Sequence, residues 1–349
     1  MKRFFATLVA AVIAAGSLCA CSKAPEKNSS LSIVTTIFPE YDWVMNVLGD
    51  NPAKADVTML QNNGADLHSF QPTTADIIKI TECDIFVYVG GESDEWVDDV
   101  LKEATNKNMT VINLMDVLGD SVKEEEVVEG MQEEDEHEHE HEHEHDEDSH
   151  DHDEDHDEDH DHEHHHEEGE IEYDEHVWLS LKNAAVLVNS ISEALQKTDP
   201  ANASVYKANA ESYIARLNAL DTEYQDAVNN ASVKTLLFGD RFPFRYLVDD
   251  YGLTYYAAFV GCSAESEASF ETITFLAKKT DELSLHSVLT IEGKDHKIAE
   301  TIIDNTASKD QQILTMDSMQ SVTAADVANG VTYISIMENN LSVLKEALK

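Results

Sequence analysis

Basic side chains are scarce in this 349-residue chain: 23 Lys and Arg stand against 70 Asp and Glu, a formal net charge of −47. Nucleic acid and anionic membrane surfaces repel such a polyanion, which excludes binding through a basic patch and leaves cations as the natural partners. Cysteine is sparse too, at four. Cys19 and Cys21 sit near the N-terminus, so only Cys83 and Cys262 serve the body, and both read as unpaired and largely buried; two cysteines make no disulfide scaffold. Gly-rich phosphate loops, a nucleophile elbow and the kinase motif set are all missing. The apolar run at 4–15 is too short to span a bilayer.

That run has another use. Lys2 and Arg3 precede it, and a small-residue region follows, ending in Leu18-Cys19-Ala20-Cys21. This is the layout of a secretory signal. Leu-x-Ala-Cys resembles the bacterial lipobox, which implies that 1–20 is removed and that Cys21 becomes an acylated N-terminus. Residues 21–30 then read as a flexible tether. The expected location is extracytoplasmic, lipid-anchored to the cell membrane.

The charge is concentrated. Residues 133–170 contain 23 Asp or Glu, 13 His and no Lys or Arg, while the chain beyond residue 20 and outside that block still carries 47 acids against 21 bases. Like charges at this density prevent packing, so the block reads as a disordered excursion from the surface. Histidines at every second position from His137 to His145 put neighbouring rings on one side of an extended chain, where two can share a metal. Imidazole favours zinc, copper or nickel over manganese. His137-Glu138-His139-Glu140-His141 formally matches the zinc-protease pattern H-E-x-x-H. That motif needs a rigid helix, which a repulsive low-complexity run does not hold.

The body alternates short β-branched runs with longer amphipathic stretches. Strands are expected at 31–37, 55–60, 84–90 and 109–114, then at 234–239, 254–260, 287–292 and 312–316. Helices are expected at 41–48, 73–83 and 96–105, then at 244–251, 270–283, 297–305 and 324–348. The fold class is therefore α/β, with two lobes at 31–180 and 231–349, each a parallel sheet flanked by helices. Between them 181–230 shows no strand signal and breaks only at Asp199-Pro200. Val205, Ala208, Ser212, Ala215, Leu217, Leu220, Tyr224 and Val228 recur near helical spacing, and Asp199 and Pro200 suit a helix start. One long rigid backbone helix joining the lobes would resist hinge motion.

In open parallel sheets ligands bind at the carboxyl ends of strands. That rule selects His68, in Gly64-Ala65-Asp66-Leu67-His68-Ser69-Phe70-Gln71-Pro72-Thr73. A second histidine, His176, lies in Asp174-Glu175-His176-Val177-Trp178-Leu179-Ser180, where Trp178 and Leu179 can anchor the ring and Asp174 or Glu175 can accept from it. Asp317 follows the last strand run. Glu292 ends another, and Cys262 follows 254–260. Glu265 and Glu267 suit a helix N-terminus, and His286 and His296 read as structural or solvated.

The two histidine stretches resemble the paired motifs of the zinc/manganese solute-binding lipoproteins of bacterial ABC importers, Gly-Ala-Asp-Pro-His-Ser-Phe-Glu-Pro-Thr and Asp-x-His-x-Trp-Leu. The acidic His-rich block resembles the loop of their zinc-binding branch. The resemblance covers essentially the whole chain after the lipobox. It implies metal ligation by His68 and His176 in the cleft between lobes, with a third ligand just after the first strand of the second lobe and a fourth after its last strand. The fourth position is Asp317. The third place reads Phe238-Gly239-Asp240-Arg241-Phe242 with no histidine, so Asp240 is the nearest candidate, and Glu292, Cys262 or water stay open. Two imidazoles with carboxylates suit Zn²⁺ and also hold Mn²⁺. The expected function is a monomeric high-affinity Zn²⁺ receptor, not an enzyme, that delivers its ion to a separate ABC importer permease. A manganese receptor of the same fold and a metal-buffering surface lipoprotein are the alternatives.

Overall fold

The computed structural model describes residues 30–51, 53–132, 172–263, 267–293 and 295–349. The signal, Cys21, nearly all of the tether, the His-rich block and Glu265 lie outside the described residues.

Four parallel strands organise each half. In the first, β1 (Ser32–Thr35), β2 (Asp56–Met59), β3 (Ile85–Tyr88) and β4 (Thr110–Asn113) alternate with α1 (Phe38–Leu48), α2 (Thr74–Glu82) and α3 (Trp96–Lys102), and α4 (Leu114–Leu118) follows. The strand order is β2-β1-β3-β4. In the second, β5 (Thr235–Phe242), β6 (Thr254–Val260), β7 (Ser287–Ile291) and β8 (Gln312–Met316) alternate with α7 (Arg245–Tyr251), α8 (Phe270–Glu282) and α9 (Lys297–Asp304). Their order is β6-β5-β7-β8, the same path repeated. Every residue of the inner strands β3 and β7 is buried, as helices on both faces require.

Two boundaries differ from expectation. The strand expected at 234–239 runs on to Phe242 through a bulge, because pairing with β6 skips from Phe238–Ala257 to Arg241–Phe259. Gly239 sits in that bulge, where a Cβ would come 2.7 Å from the Ala299 Cα, so its absence lets α9 lie against the strand. The helix expected at 324–348 is two, α10 (Ala324–Ala328) and α11 (Tyr333–Ala347). Gly330, at φ 92°, turns the chain between them.

The connecting segment also divides in two. α5 (Leu181–Thr198) is capped by Ser180, whose hydroxyl accepts the Asn183 N–H. A Pro200–Asn202 3₁₀ turn then leads into α6 (Ala203–Asn229), which packs back along α5. At 27 residues α6 is about 40 Å long. Its buried stripe is Tyr206, Ala210, Tyr213, Leu217, Leu220, Tyr224 and Val228. The expected positions Val205, Ala208, Ser212 and Ala215 are exposed. Tyrosine explains the shift: it buries an apolar ring while its hydroxyl finds a partner. Tyr213 donates to Asp42 on α1 at 2.9 Å, and Tyr224 donates to the Met337 carbonyl on α11 at 2.7 Å. One apolar core runs from β1 and β3 through α1, α5, α6 and α11 to β5, β7 and β8.

The lobes also meet directly across the cleft. Asn63 pairs with Thr323 in an antiparallel bridge, and the Ala324 N–H donates to the Asn62 carbonyl at 2.8 Å. Among the described residues no helix is long and apolar enough to cross a membrane.

Candidate metal centre

His68 is placed by a short chain of local contacts beyond β2. A 3₁₀ turn at Leu67–Ser69 is fixed by buried Leu67 and by Asp66, whose Oδ1 accepts the His68 N–H at 3.0 Å. Asp66 Oδ2 is taken by Arg241 Nη2 at 2.6 Å, which ties the turn to β5. The ring then faces Ser93 Oγ with Nδ1 at 2.8 Å, and Glu175 Oε2 lies 3.5 Å from the same nitrogen.

His176 arrives from the strand-like stretch 172–176. Its backbone is tied to the first lobe through the Asp174 N–H, which donates to the Lys123 carbonyl at 2.9 Å, and to the second lobe through Tyr246 Oη, which donates to the Asp174 carbonyl at 2.7 Å. Asp174 Oδ1 accepts both the His176 N–H, at 2.8 Å, and ring Nδ1, at 3.0 Å. The ring is fully buried beside Trp178, with centroids 5.2 Å apart. Gly261 makes room for it, since a Cβ there would stand 3.0 Å from the His176 Cε1.

The two rings meet Nε2 to Nε2 at 3.3 Å. Asp174 only accepts, which assigns the proton of His176 to Nδ1 from the hydrogen-bond network; the Glu175 carboxylate oxygen beside His68 Nδ1 favours the same tautomer there. Two lone pairs are then aimed at one point. Tetrahedral zinc with Zn–N near 2.0–2.1 Å separates two nitrogens by about 3.3 Å. Burial, the neighbouring His176 and Arg241 press the His68 pKa down to about 3 against the opposing pull of Asp66, so its ring stays neutral.

A third donor stands with them. Cys262, two residues past β6, offers a sulfur, and that atom and one nitrogen from each of His68 and His176 lie within 4.8 Å of one another. The Cys262 N–H donates to Glu125 Oε1 at 3.1 Å. Burial, then Glu125, Asp174 and Glu175, push the thiol pKa up. Among the described residues this group contains no carboxylate, and His286 and His296 stand outside it.

The two expected carboxylates are engaged elsewhere. Asp240 is not beyond a strand end but inside the β5 bulge, where its carboxylate accepts the Ile291 N–H of β7 at 3.2 Å and the Arg241 N–H at 2.9 Å. Asp317 does follow β8, yet the chain turns at once and its Oδ1 accepts the Met319 N–H at 2.7 Å. Burial and nearby Glu292 push the Asp317 pKa up to about 7. Glu292 itself is held by the Ser318 N–H at 2.6 Å, the Ser318 hydroxyl at 2.8 Å and the Gln320 N–H at 3.1 Å.

Three neighbours went unnoticed in the sequence. Gln320 Nε2 lies 3.4 Å from His176 Nε2, and its Oε1 is buried without a partner. Ser93, just past Gly90-Gly91, was findable by the strand-end rule. Glu125 carried no signal. A pocket of about 230 Å³ opens beside the group, lined by Glu92, Glu125, Glu172 and Glu175 with His68 and Cys262. A larger cleft of about 750 Å³ lies on the other side of His68, toward Asp66, Asp240 and Arg241.

The fold and its cleft define a two-lobed α/β binding protein of the solute-receptor type. Residues 33–347 match the family described as "ZnuA: Zinc-uptake complex component A periplasmic", and the chain belongs to that family. It is 30% identical over 342 residues to the zinc-binding lipoprotein AdcA of Streptococcus pneumoniae, covering 97% of this chain and 60% of that protein. It is 28% identical over 337 residues to the high-affinity zinc uptake system protein ZnuA of Bacillus subtilis, with 97% and 93% covered. The crystal structure of the Zn(II)-bound ZnuA-like domain of pneumococcal AdcA superposes with a TM-score of 0.65 at 26% identity, over 92% of this chain and 99% of that domain. Against the AdcA proteins of Streptococcus pyogenes the chain spans 56% of the relatives' length.

Proposed function

We propose that the protein is an extracytoplasmic receptor that captures Zn²⁺ between its lobes and delivers it to an ABC importer permease. The observation that carries the reading is the pair of Nε2 atoms at 3.3 Å, each ring held at its far nitrogen by an oxygen partner. His68 and His176 bind the ion as neutral imidazoles. The unpartnered Oε1 of Gln320 is a polar atom that a cation in this place would satisfy. Asp240, Asp317 and Glu292 act as surrounding charge and scaffold rather than as ligands.

The glutamate-lined pocket gives a dication an attractive approach. Among the described residues, Gln132 donates its N–H to the Ala258 carbonyl, and the Glu172 carbonyl, on the pocket's lining, accepts the Glu125 N–H. The His-rich block loads metal loosely and raises its local concentration. Attachment through lipid on Cys21 keeps a monomeric receptor beside its permease, and no catalytic step is involved.

Manganese prefers oxygen ligands, so a donor group without carboxylate favours zinc over a manganese receptor. Competition titration with Zn²⁺ and Mn²⁺, using a chain lacking 133–170, tests the reading. Zinc should bind one tight site and displace manganese; tighter manganese binding, or no tight site, overturns it.

A further inference from the structure

We infer that Cys262 is the third metal donor of this site, binding as a thiolate to complete a His₂Cys set with His68 and His176. The inference rests on the receptor reading above and adds the ligand that decides its metal. It starts from geometry: the Cys262 sulfur, from the second lobe, falls within 4.8 Å of ring nitrogens of both histidines. A cation held by this triad touches both sides of the cleft.

Rival third ligands are committed. Asp240 is bonded within the β5 bulge, and Arg241 beside it spans to Asp66 and to the Ser263 carbonyl at 3.3 Å, so a guanidinium lines that side of the cleft. Glu292 accepts from three donors of 318–320.

The thiol must become an anion to ligate, and the incoming dication supplies the charge that permits it. When Zn²⁺ arrives, the S–H bond breaks, a Zn–S bond forms and the proton passes to solvent or to neighbouring Glu125, whose Oε1 accepts the Cys262 N–H. Cys83, the other free cysteine among the described residues, is buried and spends its thiol on the Ile80 carbonyl at 3.2 Å. Thiolate favours zinc and disfavours manganese and magnesium.

The test is zinc K-edge X-ray absorption on the full chain carrying one equivalent of Zn²⁺, for the wild type and for Cys262→Ser, Cys83→Ser and His176→Ala. A sulfur scatterer at about 2.3 Å is expected beside nitrogens near 2.0–2.1 Å in the wild type and in Cys83→Ser. It should vanish in Cys262→Ser, with zinc affinity falling roughly tenfold or more and manganese affinity unchanged. Co²⁺ added to the folded wild type should give a thiolate-to-cobalt charge-transfer band, which keeps the test alive should Cys262→Ser fail to fold. A wild-type spectrum of nitrogen and oxygen alone, or sulfur that persists in Cys262→Ser, overturns the thiolate assignment. Tight zinc binding retained in His176→Ala overturns the receptor reading itself, so the two failures are distinct.

Discussion

Trp178 donates its indole N–H to the Ser318 carbonyl at 2.9 Å, and Tyr333 donates to the Trp178 carbonyl at 2.7 Å. The segment that carries His176 is thereby fastened to the loop after β8 and to α11. One residue, Val177, separates the indole from the imidazole, so this fastening sets the height of the ring in the cleft.

Removing either imidazole should abolish tight capture. His68→Ala and His176→Ala, each in a chain lacking 133–170, are expected to weaken zinc binding on the order of 100-fold or more, since loss of a mere orienting partner costs 10–100-fold. Chelator competition measures it. Unfolding midpoints should stay near wild type for His68→Ala, whose ring is partly exposed.

Asp174→Asn keeps an oxygen that accepts from His176 Nδ1 but removes the charge that strengthens the ligand. Zinc affinity should fall roughly 10-fold. Asp174→Ala should cost more, because the ring then loses its tautomer constraint. Isothermal titration separates the two variants.

Gly261→Ala tests the space around His176. The added Cβ would sit 3.0 Å from both the ring Cε1 and the Phe242 carbonyl. The ring is the part that yields, so metal affinity should drop while far-ultraviolet circular dichroism is unchanged.

Arg241→Ala removes the 2.6 Å bridge to Asp66 and frees the turn that holds His68. The pair is partly exposed, so about 1 kcal/mol or less of stability is at stake. The larger expected effect is kinetic: stopped-flow chelation should show faster zinc release.

Asp42 links stability to pH. Burial pushes its pKa from 3.8 up to about 6 despite the hydrogen bond from Tyr213. The folded state therefore holds a proton that the unfolded chain has lost between those values, and this group's contribution declines as pH rises from about 4 to about 6. Asp42→Asn, which keeps an oxygen for Tyr213, should lose that slope. Urea unfolding at pH 4.5 and pH 7 should show a smaller difference in the variant than in the wild type.

Much of this architecture was readable in the sequence because both halves obey simple periodicities. β6 and β8 fall at their expected bounds. His68 stood out by its place beyond β2, and His176 by its motif. Other features depend on long-range pairing. The β5 bulge, which turns Asp240 toward Ile291, arises from register with β6 and leaves no local mark. Asp317 was correctly placed beyond β8, but the turn that gives its carboxylate to Met319 was invisible. Cys262 lay in plain view after β6, but sequence alone does not separate a ligating cysteine from the free cysteines that sit inert in cores. On α6 the tyrosines hid the true stripe, as their hydroxyl partners come from α1 and α11.

The repeated strand order carries a last consequence. β2 and β6 occupy equivalent edge seats in their sheets, and the loops leaving them bear His68 and Cys262. With the sulfur as donor, each of two sheets of the same strand order lends one atom from the same topological address, and His176 completes the set from the end of the first lobe. Metal preference then becomes a property of one exchangeable side chain on a symmetric frame. Cys262→His would recast the seat as all nitrogen without redesigning either half.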